Sequence, residues 1–339
     1  FQTVYISRSM RLEGGYFPGQ LTVDPNPDLY TTTLDADRGG RVVVISGTTD
    51  VTLDSLFVLG GKADDGTLDD EGGGIWTNSV VTLTNTIVYS NTSDWDGGGM
   101  YSLGVSPFLK GVTFSENVGF YGGALYNDCD SGTSSPMLTD VTFSGNSASY
   151  GGAMANMCEN GNTSPRLTNV VMSGNAASTG GGLVVSVYNS EGSAVMTNVS
   201  FSGNSAVYYG GAIEAEADGE CLLVVNNNIF WNTRADGVTG TIDANNNSFG
   251  VVYSLTHSLV EGAYTGGSWV GGDYQDGGGN IDQDPLFLDP ISPPSAPTTT
   301  GNLRLGNGSP AIDAGLNSHT ENTGVLTDLD GEARFKDGD

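Results

Sequence analysis

The sequence predicts an all-β chain, a right-handed parallel β-helix with irregular first coils and a loop-rich C-terminal closing region. Three observations carry this expectation. Glycine supplies 52 of the 339 residues, and no stretch shows an extended helical pattern of apolar residues. A glycine pair or triplet followed by an aliphatic residue recurs along the chain. An apolar residue followed three positions later by Asn recurs at the same spacing. Internal repeats of roughly 20 to 50 residues are the signature of stacked architectures, because one such unit cannot bury its inner face alone.

Residues 1–71 hold strand-like runs, Val4-Tyr5-Ile6, Met10 to Gly15, Arg41 to Ser46 and Val51 to Gly60, without the repeat signature. They are expected to be atypical N-terminal coils. Residues 72–232 are the regular repeats. Their glycine-linked aliphatic positions are Ile75, Met100, Leu125, Met154, Leu183 and Ile213, with steps of 25, 25, 29, 29 and 30. The asparagines Asn91, Asn117, Asn146, Asn175 and Asn204 step by 26, 29, 29 and 29. Tyr121 to Ser149 aligns without gaps on Tyr150 to Ser178, with 17 identities in 29 positions. Within a repeat the apolar residues Leu138, Val141 and Phe143 are spaced for short strands, with Gly, Asn, Ser and Pro marking corners. Residues 233–339 lose the period and become rich in Gly, Asp, Asn and Pro. Irregular C-terminal coils and a loop-rich tail are expected there.

Composition narrows the function. Lys and Arg total 11 against 39 Asp and Glu, a formal charge of −28 that repels phosphate backbones and anionic membranes. Nucleic acid is excluded as a partner. No apolar run reaches the ~18 residues of a transmembrane helix, and a start at Phe1 suits a mature exported chain whose leader has been removed.

The Gly-Gly-Ala-aliphatic and Phe-Ser-Gly-Asn elements resemble those of bacterial polymorphic outer-membrane proteins and other secreted β-helix repeat proteins, from about Arg8 to Asn232. Ser309-Pro310-Ala311-Ile312-Asp313-Ala314-Gly315 and Asp328-Leu329-Asp330-Gly331-Glu332-Ala333-Arg334 look like the tail such proteins carry. The resemblance implies an exported, surface-associated structural or adhesive protein and no defined reaction. In such proteins a closing strand normally follows the tail; here the sequence stops at Asp339.

Cys129 and Cys158 each lie seven residues after the first glycine of their motif, one period of 29 apart. Stacked coils place equivalent Cα atoms about 4.8 Å apart, within disulfide range, so the two are expected to pair. Cys221 falls off that column and is expected to stay free. Asn117, Asn146, Asn175 and Asn204 share one repeat position and Asn127 and Asn156 another, so both columns are expected to pass side-chain hydrogen bonds along the axis. No cofactor is required. Calcium is the candidate ion, with Asp328, Asp330, Asp337 and Asp339 as oxygen ligands around glycines.

The chain is expected to be non-catalytic. The acidic residues fall at unequal repeat offsets, and His257 and His319 are isolated in sequence. A polysaccharide lyase or glycoside hydrolase is the alternative, and a glycan- or host-binding adhesin is another. The adhesin reading calls for an exposed aromatic row, for which Tyr121, Tyr150, Tyr208 and Tyr209 are candidates. The partners expected are further copies of the chain or cell-surface and extracellular glycans. End-to-end filaments would form through the strand-like edge Thr3, Val4, Tyr5 and Ile6, by addition of a neighbour's strand.

Overall fold

A computed structural model of the chain describes residues 3–19, 24–27, 29–47, 50–64, 70–129, 132–235, 242–244, 251–262, 264–265, 268–269 and 274–334. It is a parallel β-solenoid. One face is a nine-stranded sheet in which every strand is paired in parallel with its equivalent in the next coil, from Val4–Ile6 to Ile242–Ala244. Two further parallel ladders, joined into one 19-stranded sheet, make the rest of the wall. A short ladder through Ser147–Tyr150, Ala176–Thr179, Ser205–Tyr209 and Arg234–Ala235 forms a corner.

The repeat positions become columns. Val43, Ile75, Met100, Leu125, Met154, Leu183 and Ile213 lie in register on the inner side of the first sheet, all fully buried. Phe114, Phe143, Met172, Phe201 and Phe230 form the opposite column, with the Phe114–Phe143 and Phe201–Phe230 rings stacked at 5.1 and 4.8 Å. Each coil therefore covers the apolar residues of its neighbours, the burial a single repeat could not achieve.

The glycine pairs have two separate causes. Gly122, Gly151 and their equivalents hold φ of +59° to +67°, where a side chain is strained. The second glycine meets the next coil: a Cβ on Gly152 would stand 2.3 Å from the Gly181 carbonyl oxygen. In the strand Met137–Ser144 the bend between Leu138 and Val141 falls at Asp140, which has φ +56°, and Asn169, Asn198 and Asn227 repeat it.

The strands of residues 1–71 join the same ladders, with Val4 beside Val43 and Leu12 beside Leu53, although they lack the repeat signature. Val251–Thr256 and Leu259–Val260 prolong two of the ladders. From residue 284 the chain does not add another coil. It turns back along the outside of the solenoid as an antiparallel pair, Phe287–Asp289 with Asn302–Leu305, and a short helix, Asn317–Glu321.

Candidate functional site

Three features stand out on this scaffold: the axial staples, an aromatic and acidic lateral face, and the returning C-terminal segment.

Cys129 and Cys158 are joined as a disulfide across neighbouring coils, with Cα atoms 5.0 Å apart, and Cys221 is a buried free thiol that burial pushes up to about 12. Below the phenylalanine column runs an asparagine ladder. Asn91, Asn117, Asn146 and Asn175 each donate an Nδ2 proton to the Oδ1 of the next asparagine at 2.9 to 3.0 Å, ending at Asn204. The second Nδ2 proton goes to a main-chain carbonyl of the preceding coil, as from Asn146 to Phe114 at 3.1 Å. Each acceptor also takes its upper neighbour's backbone N–H, as Asn146 Oδ1 does from Asn117 at 3.0 Å. At the fully buried middle rungs, Asn117, Asn146 and Asn175, both Nδ2 protons have acceptors and Oδ1 takes two donors.

The other column is shorter. Asn127 donates to Asn156 at 3.0 Å, but Asn127 Oδ1 and Asn156 Nδ2 have no further partner among the described residues. The column is occupied by Ser102 on one side and Val185 on the other, and valine cannot accept the amide proton.

The outer surface of the nine-stranded sheet carries a second, smaller apolar cluster. Trp76, Tyr101 and Tyr126 occupy one outward column, with successive rings stacked at 6.4 and 5.5 Å. Tyr121 packs beside Tyr126 at 5.8 Å and stacks on Tyr150 at 4.8 Å, and Phe120 and Trp95 extend the cluster toward the corner. Trp95, Phe120 and Tyr150 are exposed and make a ridge across three coils at the corner ladder; the next coil places buried Thr179 there, and exposed Tyr208 and Tyr209 lie beyond it. Tyr101 and Tyr126 are buried under their neighbours. Carboxylates border the rings. Trp76 Nε1 donates to Glu71 at 3.2 Å, and the Tyr101 hydroxyl donates to Asp128 at 3.3 Å. Burial first, and then the negative charge of Glu71, pushes the Asp96 carboxyl up to about 7. Its Oδ1 is buried with no hydrogen-bond partner among the described residues. Tyr101 and Tyr126 are raised for the same chief reason, desolvation.

The returning C-terminal segment is pinned on both edges of the other face. At one edge Thr298 N–H donates to the Gly174 carbonyl at 2.8 Å. A Cβ on Gly174 would lie 2.3 Å from the Thr298 carbonyl oxygen, and one on Gly203 2.3 Å from Ile291. Ser90, Glu116 and Asn232 hold the same positive φ in coils outside this contact. The glycine of each Ser-Gly-Asn element is thus required by the packed segment more than by the turn. At the other edge, Asn227 forks the main chain of Leu316, accepting its N–H at 2.8 Å and donating to its carbonyl at 3.1 Å. Asn198 bonds Thr320, and Asn169 donates to the Thr327 carbonyl at 2.7 Å and accepts from Arg334. His257 and His319, distant in sequence, meet edge to face at 6.3 Å. The repeated Asn at the bend was the available sequence signal for this docking; it reads equally well as a turn residue.

The expected calcium ligands are placed as follows. Asp328 accepts the N–H groups of Asp330 and Glu332, both at 2.9 Å, and Asp330 is engaged by Arg304 at 2.5 and 2.9 Å. Asp337 and Asp339 lie outside the described residues. Among the described residues no group of three or more His, Cys, Asp and Glu side chains is arranged to hold a metal ion. Thr3 bonds the Arg41 carbonyl, and Val4, Tyr5 and Ile6 form the outermost strand of the nine-stranded sheet, with Tyr5 exposed. No helix among the described residues is long and apolar enough to cross a membrane.

Residues 140–153 and 198–216 match the Chlamydia polymorphic membrane protein repeat. The chain fits that type of β-helix repeat protein. Both matched stretches run from the bend through the Ser-Gly-Asn element to the glycine pair, the segment that supplies the phenylalanine, the ladder asparagine and the docking glycine. The repeat is that of surface-exposed, outer-membrane-associated proteins not known as enzymes. No curated protein and no solved structure matches the chain.

Proposed function

We propose that the chain is a non-catalytic extracellular rod of the cell surface, structural and adhesive, that engages its partners through the aromatic ridge. The ridge carries this reading. Trp95, Phe120 and Tyr150 stay exposed side by side on successive coils, with successive rings 6.1 and 5.8 Å apart, and exposed aromatic rows on a rigid scaffold are energetically productive contact surfaces. The ridge presents aromatic rings on three successive coils, through Trp95, Phe120 and Tyr150, so weak contacts to an extended glycan or partner add along that stretch. Axial assembly by strand addition belongs to the same reading. Val4–Ile6 is paired on one side, with Val43–Ile45, and a further strand on its other side would repeat the coil-on-coil geometry of the rod.

The test is adherence of beads coated with the chain to host cells and to extracellular glycans. The triple change Trp95→Ala, Phe120→Ala, Tyr150→Ala should remove most adherence while the melting transition stays within a few degrees. Undiminished adherence of a folded triple variant rejects the ridge.

A glycan-active enzyme is the second reading, favoured by one observation. Asp96, held near neutrality beside Glu71 and Asp128, is the kind of carboxyl a glycosidase uses as its acid.

A further inference from the structure

The returning C-terminal segment does not lie flat on the solenoid. It is pinned to the Ser-Gly-Asn corner at Gly174 and Gly203 and to the bend at Asn169, Asn198 and Asn227, and between these edges it leaves a cleft of about 890 Å3. That volume is within the range of small-molecule binding sites. The floor is the outward side of one parallel ladder. Thr142, Val171, Ser200 and Ile229 are in register on consecutive coils, and Ser144 and Ser173 form a second row beside them.

From this arrangement we propose that the cleft is a binding site for a neutral, linear oligosaccharide lying along the solenoid axis. Two features select the ligand class. The floor alternates hydroxyls with aliphatic carbons, the pairing that a sugar's hydroxyls and C–H faces complement. It also repeats once per coil, about every 4.8 Å, so a polymer of repeating units meets equivalent groups along its length. Neutrality follows from the charges. In a chain of −28, the charged side chains lining this cleft are mostly engaged within the protein: Arg304 with Asp330, Arg334 with Asn169 and the Thr327 carbonyl, and Asp328 with main-chain N–H groups. Asp313 is exposed, and His257 lines the cleft beside Ile229 and Leu259. An anionic polysaccharide meets no uncommitted guanidinium here.

This site goes beyond the proposed adhesive ridge and lies on a different face, so the two fail separately. The experiment is calorimetric or NMR titration of the full chain with neutral cello-, malto- and chito-oligosaccharides and with anionic oligogalacturonides. Saturable binding to at least one neutral series is expected, weakened at least tenfold by Val171→Trp or Ser200→Trp, which fill the cleft from outward positions, and unchanged by Tyr150→Ala on the ridge. Two tryptophan variants guard against one that fails to fold, as judged by its melting transition. Absence of binding to every neutral series, tighter binding of the oligogalacturonides, or wild-type affinity in both folded tryptophan variants overturns the proposal.

Discussion

Replacing Asn146 with leucine probes the axial ladder most sharply. The leucine removes an acceptor that serves both the backbone N–H and the Nδ2 of Asn117, each at 3.0 Å, and a donor that serves the Phe114 carbonyl and Asn175. Asn117 then has two buried protons without acceptors. An orphaned buried donor costs about 1–3 kcal/mol, and the added apolar burial of leucine returns about 1–2 kcal/mol. Two such donors at the middle of that range cost about 4 kcal/mol, so the net destabilisation expected for Asn146→Leu is about 2–3 kcal/mol, and Asn175→Leu should match it, since its environment repeats one coil on. Asn162 is exposed at a corner, and Asn162→Leu should change stability by less than about 0.5 kcal/mol. Urea unfolding followed by circular dichroism gives the three values, with an unchanged slope showing that the same surface is exposed. Equal midpoint shifts in all three variants would refute the ladder as a source of stability.

Other expectations follow from single features. In denaturant without reductant one thiol should react and after reduction three, and losing the Cys129–Cys158 link should cost about 3–4 kcal/mol by the chain-entropy estimate for a loop of this length; three reactive thiols before reduction contradict the pairing. Cys221 should resist alkylation in the folded chain, since burial pushes its thiol up to about 12; rapid native labelling argues against its burial. Asp96 is an acid raised from 3.8 to about 7, so the folded state holds its proton more tightly than the unfolded state. Its contribution is complete below the unfolded value and is lost as pH rises through about 7, which makes Asp96→Asn stabilising at pH 8 and nearly neutral at pH 4; melting curves at the two pH values showing equal shifts remove this account. Gly174→Asn keeps a residue that tolerates positive φ but collides with Thr298, so limited proteolysis should open residues 284–334 while the solenoid stays resistant; Glu116→Asn, at an equivalent turn without that contact, should leave the pattern as in the parent.

The sequence made the solenoid legible because every coil must solve the same contact. Ile75 through Ile213 recur because each covers the one before, and Asn117 through Asn204 recur because a buried amide ladder tolerates no substitute at its middle rungs. The disulfide was legible for the same reason, since a separation of one period means adjacency in space. The lateral sites were not legible. Trp76, Tyr101 and Tyr126 follow the periodic aliphatic position, but the next coils place Ala155 and Val184 there, so no repeat marks the aromatic cluster. The upward shift of Asp96 depends on its burial and on the charge of Glu71, 25 residues earlier in the chain. The docking of the C-terminal segment was hidden because glycine in Ser-Gly-Asn has a sufficient local explanation as a turn residue. Only the presence of Ser90, Glu116 and Asn232 at equivalent positive φ separates the two causes.

One experiment reads at once whether the lateral surfaces of this rod bind and whether they react. The full chain is incubated with a panel of neutral and acidic polysaccharides, its retardation in affinity gels is measured, and the same mixtures are assayed for new reducing ends and unsaturated products. Retardation by at least one polysaccharide without any accumulation of product is the predicted result. Product that grows with time, and that disappears in Asp96→Asn, would contradict the account and make the chain a glycan-active enzyme.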